Sequence, residues 1–505
     1  MNQTDVLIAG AGPTGLTLAC DLARRGVSAR VIDKSPTDFP GSRAKGLMPR
    51  TLEVFDDLGV VGEVLASSGP FPPFRGYAGE TVLWDRTIYQ MAGFPELTPT
   101  PDLPYTTFRM IPQWRTEEIL RARLVALGGR VERGTELTAL NQDGEGVTAS
   151  LVRDGRVEEV RCRYLVGADG GPSFVRKAIG IGFAGTTDAT DRSIIADVIA
   201  SGPDRDHWHT WTNPGNPANR VSLCPLPGTD FFQFVAPVTT DDVPALTLES
   251  LQAIFDQRSG VSGVRLSDLR WATMYRVNVR LADRFRMGRV FLAGDAAHVH
   301  SPAGGQGLNT GVQDAYNLGW KLGAVLRGAP ETLLDSYEAE RLPVAAHVLG
   351  MTSALHKRWA NGGTPRSAAD DVYQLRLSYQ GGPLARDNGG GRVRAGDRAP
   401  DAPCRDAAGN LVRLFDAFRG PHFTLLAFER HDGRYGEPVR AYTVLHPGEP
   451  IGGPCLVDAD GLVRSGYGVE SGFVLVRPDG YIGLIAPDEA AVREYLALVM
   501  GGPAM

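Results

Sequence analysis

The chain has 505 residues, 43% of them hydrophobic and 22% charged, a composition typical of folded globular domains and unlike that of disordered or coiled-coil proteins. At roughly 150 residues per domain, the length predicts about three domains, which excludes a peptide or a single small binding module. The 52 basic and 58 acidic residues give a net charge of −6, so no global positive field exists to hold nucleic acid or an anionic membrane surface.

The five cysteines are far apart in the sequence and form no Cys-x-x-Cys pair, which argues against a disulfide framework and a thiolate zinc site. We expect buried thiols in a reducing compartment. The first residues lack the basic region of a secretion signal, and no apolar stretch of roughly 18 residues occurs. The sequence therefore predicts a cytoplasmic protein without a membrane span.

An α/β pattern opens the chain. Residues 5–9 form an apolar run that ends in glycines, residues 16–25 have helical spacing that stops at Gly26, and residues 28–32 form a second apolar run. The length of this strand–helix–strand unit is typical of one right-handed crossover in a parallel sheet.

Two patterns alternate in the middle of the chain. Residues 115–127 predict an amphipathic helix, and residues 137–168 predict strands separated by Asp-Gly turns. Short alternating segments over residues 184–275 predict a mostly antiparallel domain. A strand at residues 289–293 and an amphipathic helix at residues 312–326 then return the chain to its first domain, which is therefore discontinuous.

These patterns predict an α/β protein of three domains. The first domain is interleaved with the β domain, and a segment rich in glycine and charge links both to a further small domain. The predicted ranges are 1–75, 100–183 and 276–380 for the first domain, 76–99 and 184–275 for the β domain, 381–395 for the linker and 396–505 for the last domain.

The sequence GAGPTG lies where the first strand turns into the first helix. Gly10 allows the tight turn, Gly12 lets a pyrophosphate approach the backbone, and Gly15 permits close packing of helix on strand. N–H groups at the helix N-terminus hold phosphates, and Asp33 at the end of the second strand can accept a ribose hydroxyl. The motif predicts a dinucleotide site without distinguishing NAD from FAD. The predicted contacts are Gly10, Gly12, Pro13, Thr14, Gly15, Asp33 and Lys34.

Two further acidic pairs follow predicted strands. Asp169-Gly170 follows the strand YLVGA, and Gly294-Asp295 follows the strand RVFLA. Each pair places a carboxylate at the carboxyl edge of a parallel sheet, where ligands bind. An ordinary turn is the alternative at each position.

Three segments together resemble those of FAD-dependent aromatic hydroxylases of the para-hydroxybenzoate hydroxylase type: GAGPTG, GADGGPSFVRKAIGI and GRVFLAGDAAHVHSPAGGQGLNTGVQDAYNLGWKL. The resemblance covers residues 1–395 and implies a Rossmann-type, glutathione-reductase-like FAD domain interleaved with a substrate-binding β domain. The segments GDRAPDAPC and VLVRPDGYIG resemble the thioredoxin-like C-terminal domain of larger members such as phenol hydroxylase. Because this chain has no Cys-x-x-Cys there, we expect no redox role for that domain.

The resemblance also implies roles for individual residues. Asp295 is expected to contact the FAD ribitol, and Asp169 and Gly170 to serve both FAD and NAD(P)H binding. Arg43 and Gln113 match cofactor-binding positions of the family.

The late segment has a physical reason to lie beside a flavin. Reduced flavin carries negative charge at its pyrimidine end, which backbone N–H groups and the positive end of a helix stabilise. Several glycines allow close backbone approach, and a helix beginning near Leu308 would present such N–H groups. The predicted contacts are Gly294, Gly305, Gly307, the amides of Leu308 and Asn309, and Pro302, whose backbone matches the family position next to the flavin ring.

Several residues near these motifs have a structural role as the alternative. Ser173 and Arg176 fit the extended middle motif, but a capping serine and a solvated arginine would look the same. His298 and His300 follow the family pattern in which the histidine is structural, so no metal site is predicted. The candidate substrate contacts are Phe232, Phe234 and Trp211, with core packing as the alternative.

The resemblance implies a flavoprotein monooxygenase that uses FAD, NADPH or NADH, and O2 to hydroxylate an aromatic, phenolic substrate, possibly a polycyclic polyketide or antibiotic-like one, through a flavin C4a-hydroperoxide. Because FAD carries the chemistry, no side chain is assigned a catalytic role beyond the backbone at Pro302. The alternatives are a Baeyer–Villiger or epoxidising oxygenase on the same fold, a nicotinamide-dependent dehydrogenase and a catalytically idle flavin-binding protein. The expected partner is a small aromatic substrate, without nucleic acid or membrane, and the expected assembly is a monomer or homodimer.

Overall fold

A computed structural model describes residues 2–93, 95–213, 216–238, 244–302, 304–360, 372–387, 391–429 and 435–501. The elements of the first third alternate strands with helices. In chain order they are β1 (Asn2–Ala9), α1 (Pro13–Arg24), β2 (Ala29–Asp33), β3 (Gly46–Leu47), α2 (Pro49–Asp57), α3 (Val61–Ser67), β4 (Gly69–Pro70), β5 (Phe74–Ala78), β6 (Thr81–Arg86), α4 (Ile88–Ala92), β7 (Arg109–Met110), α5 (Gln113–Ala126), β8 (Val131–Arg133), β9 (Thr135–Gln142), β10 (Val147–Arg153) and β11 (Arg156–Gly167).

The middle third holds the longest strands and the two longest helices. Its elements are α6 (Phe174–Ala178), β12 (Phe183–Ser201), β13 (Trp208–Asn213), β14 (Asn216–Pro225), β15 (Phe231–Val238), α7 (Leu248–Ser259), β16 (Arg265–Ala282), β17 (Arg286–Met287), β18 (Val290–Leu292), a 3₁₀ turn (Gly294–Ala296), β19 (His298–Val299), α8 (Gln306–Leu326), a second 3₁₀ turn (Glu331–Leu334) and α9 (Asp335–Ala360). None of the helices in the described stretches is long and apolar enough to cross a bilayer.

The last part of the chain forms a third group of short elements. They are β20 (Pro403–Arg405), β21 (Leu411–Arg413), α10 (Leu414–Phe418), β22 (Phe423–Ala427), β23 (Val439–Leu445), β24 (Cys455–Val457), α11 (Leu462–Tyr467), β25 (Phe473–Val476), β26 (Ile482–Ala486) and α12 (Glu489–Met500).

The first sheet is parallel at its centre, in the order β17-β18-β11-β1-β2-β8, with β10 and β9 added antiparallel beside β11. β1 pairs in parallel with both β11 and β2, so the carboxyl ends of these strands meet at one edge. Every residue of β18 is buried, as expected for a strand covered on both faces. This edge of the sheet positions the three sequence motifs.

The second sheet is mostly antiparallel, in the order β19-β16-β12-β15-β14-β13-β5-β6. Successive side chains along each strand point to opposite faces of this sheet. One face packs against α7 in a core that includes Val198, Leu251 and Phe255. The opposite face is turned toward the segment before α2, where Gln233 and Ser42 are hydrogen-bonded.

The third sheet lies in the order β21-β20-β24-β23-β22-β25-β26 and packs on the helical layer of the first sheet. Buried residues of β22 and β25 belong to the same hydrophobic core as α1 and α8, and the Trp320 and Phe423 rings meet edge to face at 5.6 Å. In the predicted linker, Leu384 and Ala395 are buried, and residues 388–390 lie outside the described residues. The thioredoxin-like assignment and the domain boundaries stay predictions.

Helix boundaries differ from the sequence prediction for local reasons. α1 begins at Pro13 and not near residue 16, because proline fits the first helical position. α8 begins at Gln306, ahead of the expected start near Leu308, because Gly305 adopts the left-handed conformation just before the helix. Both helices therefore begin closer to the sheet edge than the periodicity indicated.

Candidate functional site

The turn between β1 and α1 needs glycine at two positions because of the protein's own backbone. A Cβ atom on Gly10 (φ +108°) would lie 2.2 Å from the Ala168 carbonyl oxygen, and one on Gly15 would lie 2.0 Å from the Gly10 carbonyl oxygen. A Cβ atom on Gly12 would meet no atom within 4 Å. The turn therefore leaves open space at Gly12, beside the N-terminus of α1, where a pyrophosphate would bind.

Asp33 closes this turn from the end of β2. Its carboxylate accepts the Ala11 N–H and the Ser35 N–H, each at 2.8 Å. Since a carboxylate has about four acceptor sites, a ribose hydroxyl can still donate to it. The next residue, Lys34, is exposed.

Thr14 joins the first motif to the late motif. Its hydroxyl lies 2.5 Å from the position of a Cβ atom on Gly294 and 2.4 Å from that of a Cβ atom on Gly311. The start of α1 thus packs against both the 3₁₀ turn and α8. No role was predicted for Gly311, because the helical pattern alone does not distinguish it from other helix residues.

The middle motif builds local structure. Asp169 accepts the Ser173 hydroxyl at 2.5 Å and the Phe174 N–H at 2.7 Å, and Ser173 caps α6 by accepting the Arg176 N–H. The capping alternative for Ser173 therefore describes it. The alternative of a solvated arginine is wrong for Arg176, because its guanidinium is buried and donates to the Ala296 carbonyl at 2.8 Å. The cofactor roles of Asp169 and Gly170 stay predictions.

Asp295 has a carboxylate that is available to a ligand. It lies half-buried on the 3₁₀ turn and makes no hydrogen bond within the described stretches of chain. Burial raises the pKa of Asp295, against the opposing charges of His298 and Arg43. This arrangement fits an acceptor for a hydroxyl group of a bound cofactor.

The N-terminus of α8 lies just after this acid. Gly304 (φ +81°) and Gly305 (φ +63°) adopt left-handed conformations, and the Pro302 carbonyl accepts the Gly305 N–H at 3.1 Å. Leu308 and Asn309 are the third and fourth residues of α8. Their N–H groups therefore belong to the first turn, where backbone N–H groups have no partner within the helix.

Two residues in the first turn of α8 differ in their surroundings: Gly307 has free space beside it, and Asn309 contacts other parts of the protein. A Cβ atom on Gly307 would lie 4.0 Å from its nearest neighbour, so this position has room. The Asn309 amide instead binds protein: its oxygen accepts the Met48 N–H and the Thr51 hydroxyl, and its nitrogen donates to the Gly46 carbonyl. This link between α8 and α2 had no signal in the sequence.

Gln113 holds the segment that carries Arg43. Its amide oxygen accepts the Ala44 N–H at 3.1 Å, and its nitrogen donates to Glu117 at 2.9 Å. Burial raises the pKa of Glu117 to about 7. Arg43 itself is exposed, with its guanidinium 5.6 Å from the Phe39 ring.

The predicted substrate contacts face the wrong way. Phe232, Phe234 and Trp211 are at most 4% exposed and pack against α7 with Phe255, so they are core residues and leave no space for a ligand. The core-packing alternative describes them. The alternating pattern revealed two faces of the strand but not which face α7 would cover.

The opposite face of the second sheet is partly open. Paired residues of neighbouring strands form a row of partly exposed apolar and hydroxyl side chains, which we call the open face: Ile195, Thr273, Val235 and Ser222.

Tyr275 lies next to the open face, at the same side of β16 as Thr273. Burial raises the pKa of Tyr275 to about 12, and both Asp295 and Arg43 are close enough to act on it electrostatically. Tyr275 therefore lies at the end of the open face that is directed toward the late motif.

A polar cluster closes one end of the open face. Lys45 donates to the Gln233 amide oxygen and lies 3.7 Å from the Trp208 ring centre, while the Gln233 amide donates to the Ser42 carbonyl. Burial raises the pKa of Asp197, the strand neighbour of Gln233, to about 6. The segment before α2 is thereby fixed on the sheet.

Known proteins resemble this chain over nearly its full length. Residues 3–352 match the family described as FAD binding domain. The chain is 50% identical over 497 residues to a flavin-dependent monooxygenase of Mycobacteroides abscessus, covering 98% of this chain and 100% of that protein. It is 36% identical over 552 residues to the 12-dehydrotetracycline 5-monooxygenase/anhydrotetracycline 6-monooxygenase of Streptomyces rimosus, covering 99% of each. The structure of aklavinone-11 hydroxylase in a ternary complex with FAD and aklavinone matches with a TM-score of 0.80 and 29% identity, covering 99% of each chain.

The geometry agrees with an FAD site. Space beside Gly12 admits a pyrophosphate, Asp295 offers a carboxylate, and α8 directs its N-terminus to the same edge of the sheet. With the family match over residues 3–352, these observations show that the chain belongs to the FAD-dependent aromatic monooxygenases and that FAD is its cofactor.

Proposed function

We propose that this chain hydroxylates a phenolic, polycyclic aromatic substrate, using NADPH or NADH as reductant and O2 as oxidant. The observation that carries the proposal is the position of Tyr275, which lies on the same side of β16 as the open face and within electrostatic range of Asp295 and Arg43. A flat substrate on the open face would lie against the cofactor end of the site. The relatives that act on tetracyclines and the neighbour that holds aklavinone support a polycyclic phenol.

The protein's own residues would bind and orient the cofactor. Backbone N–H groups at the start of α1 would hold the pyrophosphate, and Asp33 and Asp295 would accept hydroxyl groups. Bound FAD supplies the redox chemistry that links the reductant to O2. The positive end of α8 would stabilise negative charge on the reduced cofactor.

The open face would orient the substrate and exclude water. Ile195 and Val235 offer apolar contacts to an aromatic ring, while Thr273 and Ser222 offer hydroxyl groups to phenolic oxygens. The cluster of Lys45 and Gln233 closes one end of this surface to solvent.

Val235→Phe tests the use of the open face. The larger side chain occupies space where the substrate would lie, so we expect KM for a polycyclic phenol to rise about tenfold, equivalent to about 1.4 kcal/mol of lost binding, while FAD affinity stays unchanged. KM is measured from phenol-stimulated oxidation of NAD(P)H. Leu83→Phe, at an exposed position of β6, is the control and should leave KM unchanged. An equal KM for Val235→Phe and the parent protein would show that the substrate does not bind to the open face.

A further inference from the structure

A row of side chains crosses the second sheet beside the open face. Gln233 of β15 pairs with Cys224 of β14. On β13, His209 pairs with Leu223, so the preceding residue, Trp208, lies in the next position of the same row. Leu223 packs in the core with α7, and the side chain of the adjacent Cys224 therefore points to the opposite face. Gln233, Cys224 and Trp208 thus lie side by side on the face of the sheet that carries the open face.

The Lys45 ammonium lies over the middle of this row. It donates to the Gln233 amide oxygen and lies 3.7 Å from the Trp208 ring centre. Since Gln233 and Trp208 flank Cys224, the ammonium is placed above the Cys224 thiol. The Gln233 amide nitrogen donates to the Ser42 carbonyl, which leaves the amide oxygen facing Lys45. Gln233 therefore fixes the position of the ammonium.

Lys45 has a positive charge without a bound counter-ion. Its side chain is half-buried and makes no ion pair with a carboxylate within the described ranges. Burial lowers the pKa of Lys45, and the titratable groups that face it are the Cys224 thiol and the Asp197 carboxyl. Burial also raises the pKa of Cys224, so this thiol carries no charge near neutral pH. Because a charge removed from water is costly unless it is paired, the ammonium favours an anion beside it.

Asp197 does not supply that anion directly. It is the strand neighbour of Gln233 on the side away from Cys224, so the Gln233 amide lies between the acid and the ammonium. Both Asp197 oxygens are buried and accept no hydrogen bond from the residues that the structure describes. The N–H groups of Lys45 that Gln233 does not use therefore stay available to a ligand.

The ammonium lies at the border of the open face. Ser222 is two residues from Cys224 along β14, about 7 Å away and on the same face. From Ser222 the open face extends across three strand spacings to Thr273, about 14 Å in all. This length admits a flat molecule of several fused rings with one end beside Lys45.

We propose that the Lys45 ammonium binds an ionised oxygen of the substrate, a phenolate or an enolate, at this end of the open face. The inference rests on the proposed function and names its substrate class: polycyclic phenols and enols that are acidic enough to bind as anions. Lys45 determines the preference for the anion. Gln233 is a positioning residue, which holds the ammonium without neutralising it. A substrate that arrives in its neutral form releases its proton to solvent on binding.

Binding of a dye to the oxidised, FAD-loaded protein tests the anion site without turnover. The probes are alizarin, a flat three-ring phenol whose absorption shifts to longer wavelength on ionisation, and its dimethyl ether, which cannot ionise. We expect the alizarin anion to bind about tenfold or more tightly than the ether. We also expect bound alizarin to ionise at lower pH than free alizarin, because a neighbouring cation favours the charged form. Equal affinity for the two probes, including no binding of either, or an unchanged ionisation, would overturn the proposal.

Variants of Lys45 assign the effect to this residue. Lys45→Met keeps an apolar side chain on the Trp208 ring and removes the charge, so we expect affinity for the alizarin anion to fall about 10- to 100-fold. Affinity for the ether should stay unchanged, and Lys45→Arg, which keeps the charge, should retain part of the affinity for the anion. The control is Lys177→Met, which removes an exposed lysine of α6 and should change neither affinity.

The FAD spectrum and a thermal melt show whether each variant is folded. If Lys45→Met does not fold, the two probes on the parent protein and the retained affinity of Lys45→Arg still decide the proposal. An equal loss of affinity for the anion and the ether in Lys45→Met would show that Lys45 only packs against Trp208 and would overturn the proposal. If the parent protein binds the alizarin anion through Lys45 but oxygenates no phenol, the proposed function fails and the anion site stands.

Discussion

Gly10, Gly12 and Gly15 are glycines for different reasons. Gly10 and Gly15 lie against protein backbone, so a side chain at either position would disturb the fold. Gly12 has a φ of −76°, which any residue adopts, and no neighbour within 4 Å. A Cβ atom at Gly12 therefore has room in the protein and lies where a pyrophosphate would bind.

Gly12→Val should separate folding from cofactor binding. Because a Cβ atom at this position has no protein atom within 4 Å, we expect the apoprotein to keep its Tm, while the blocked approach to the pyrophosphate prevents FAD binding. Visible absorption after reconstitution with FAD and a thermal melt of the apoprotein measure the two effects. Full FAD occupancy in this variant would contradict the assignment of the turn.

Gly294→Ala should be more harmful than its backbone conformation alone explains. A Cβ atom on Gly294 (φ +61°) would lie 2.5 Å from the Thr14 hydroxyl oxygen. A Cβ atom on Gly260 (φ +64°), by contrast, would have no neighbour within 4 Å. We expect Gly260→Ala to cost about 1–2 kcal/mol of unfolding free energy and Gly294→Ala to cost more and to weaken FAD binding. Denaturant titrations and FAD titrations provide both values, and equal costs would refute the contact with Thr14.

At the scale of elements, α8 connects the parts of the molecule. Its first turn faces the cofactor site, and its Asp314 carboxylate binds both His298 and Arg341. Near its end, Trp320 and Lys321 contact the last part of the chain and α9: Trp320 donates to Asp479 and Lys321 donates to Glu340. The helix α8 therefore contacts the cofactor site at its start, and the last part of the chain and α9 near its end.

The helix α5 carries a carboxyl group whose titration should be visible in stability. The pKa of Glu117 is raised by burial to about 7 from an ordinary 4.5, so the folded state binds more protons than the unfolded state between these values. Stability contributed by the protonated form is present at low pH and is lost as pH rises toward 7. We expect Glu117→Gln, which keeps an acceptor for Gln113, to raise the unfolding free energy more at pH 8 than at pH 5. An equal effect at both pH values in denaturant titrations would show that Glu117 is ionised in the folded protein.

Residue types at short sequence spacing predicted those elements whose structure depends on neighbouring residues in the chain. Glycine spacing located the β1–α1 turn, and the acids after strands located Asp33 and Asp295. Contacts between distant segments gave no such signal. The face of β15 that α7 covers, and the contacts of Asp314 with His298 and Arg341, depend on pairings across the fold. Phe232 was therefore misassigned, and the contacts of Asp314 were not predicted.

At the scale of the whole molecule, the last part of the chain is built into the cofactor-binding part. Arg477 binds Glu340 of α9 at 2.6 Å and Asp479 at 2.5 Å, and all three side chains are buried. Arg398 makes a second such contact with Glu53 of α2. We therefore expect the last part of the chain to be needed for folding of the whole.

Arg477→Met should destabilise the whole protein. Removing the guanidinium leaves the buried carboxylates of Glu340 and Asp479 without their main cation, so we expect a loss of about 3–5 kcal/mol of unfolding free energy. Arg493→Met, in a partly exposed pair with Glu489, should cost less than about 1 kcal/mol. Chemical denaturation of both variants makes the comparison, and similar small losses would mean that the last part of the chain is only loosely attached.

The most direct test of the central claim is the fate of oxygen. The FAD-loaded protein is incubated with NADPH or NADH, isotopically labelled O2 and a panel of polycyclic phenols, and the products are analysed by mass spectrometry. We expect a product with one labelled oxygen atom as a new ring hydroxyl, and reductant oxidation stimulated by that phenol. Reductant oxidation that yields only hydrogen peroxide with every phenol, or a labelled oxygen inserted into a carbon–carbon bond as an ester, would contradict the proposed hydroxylation.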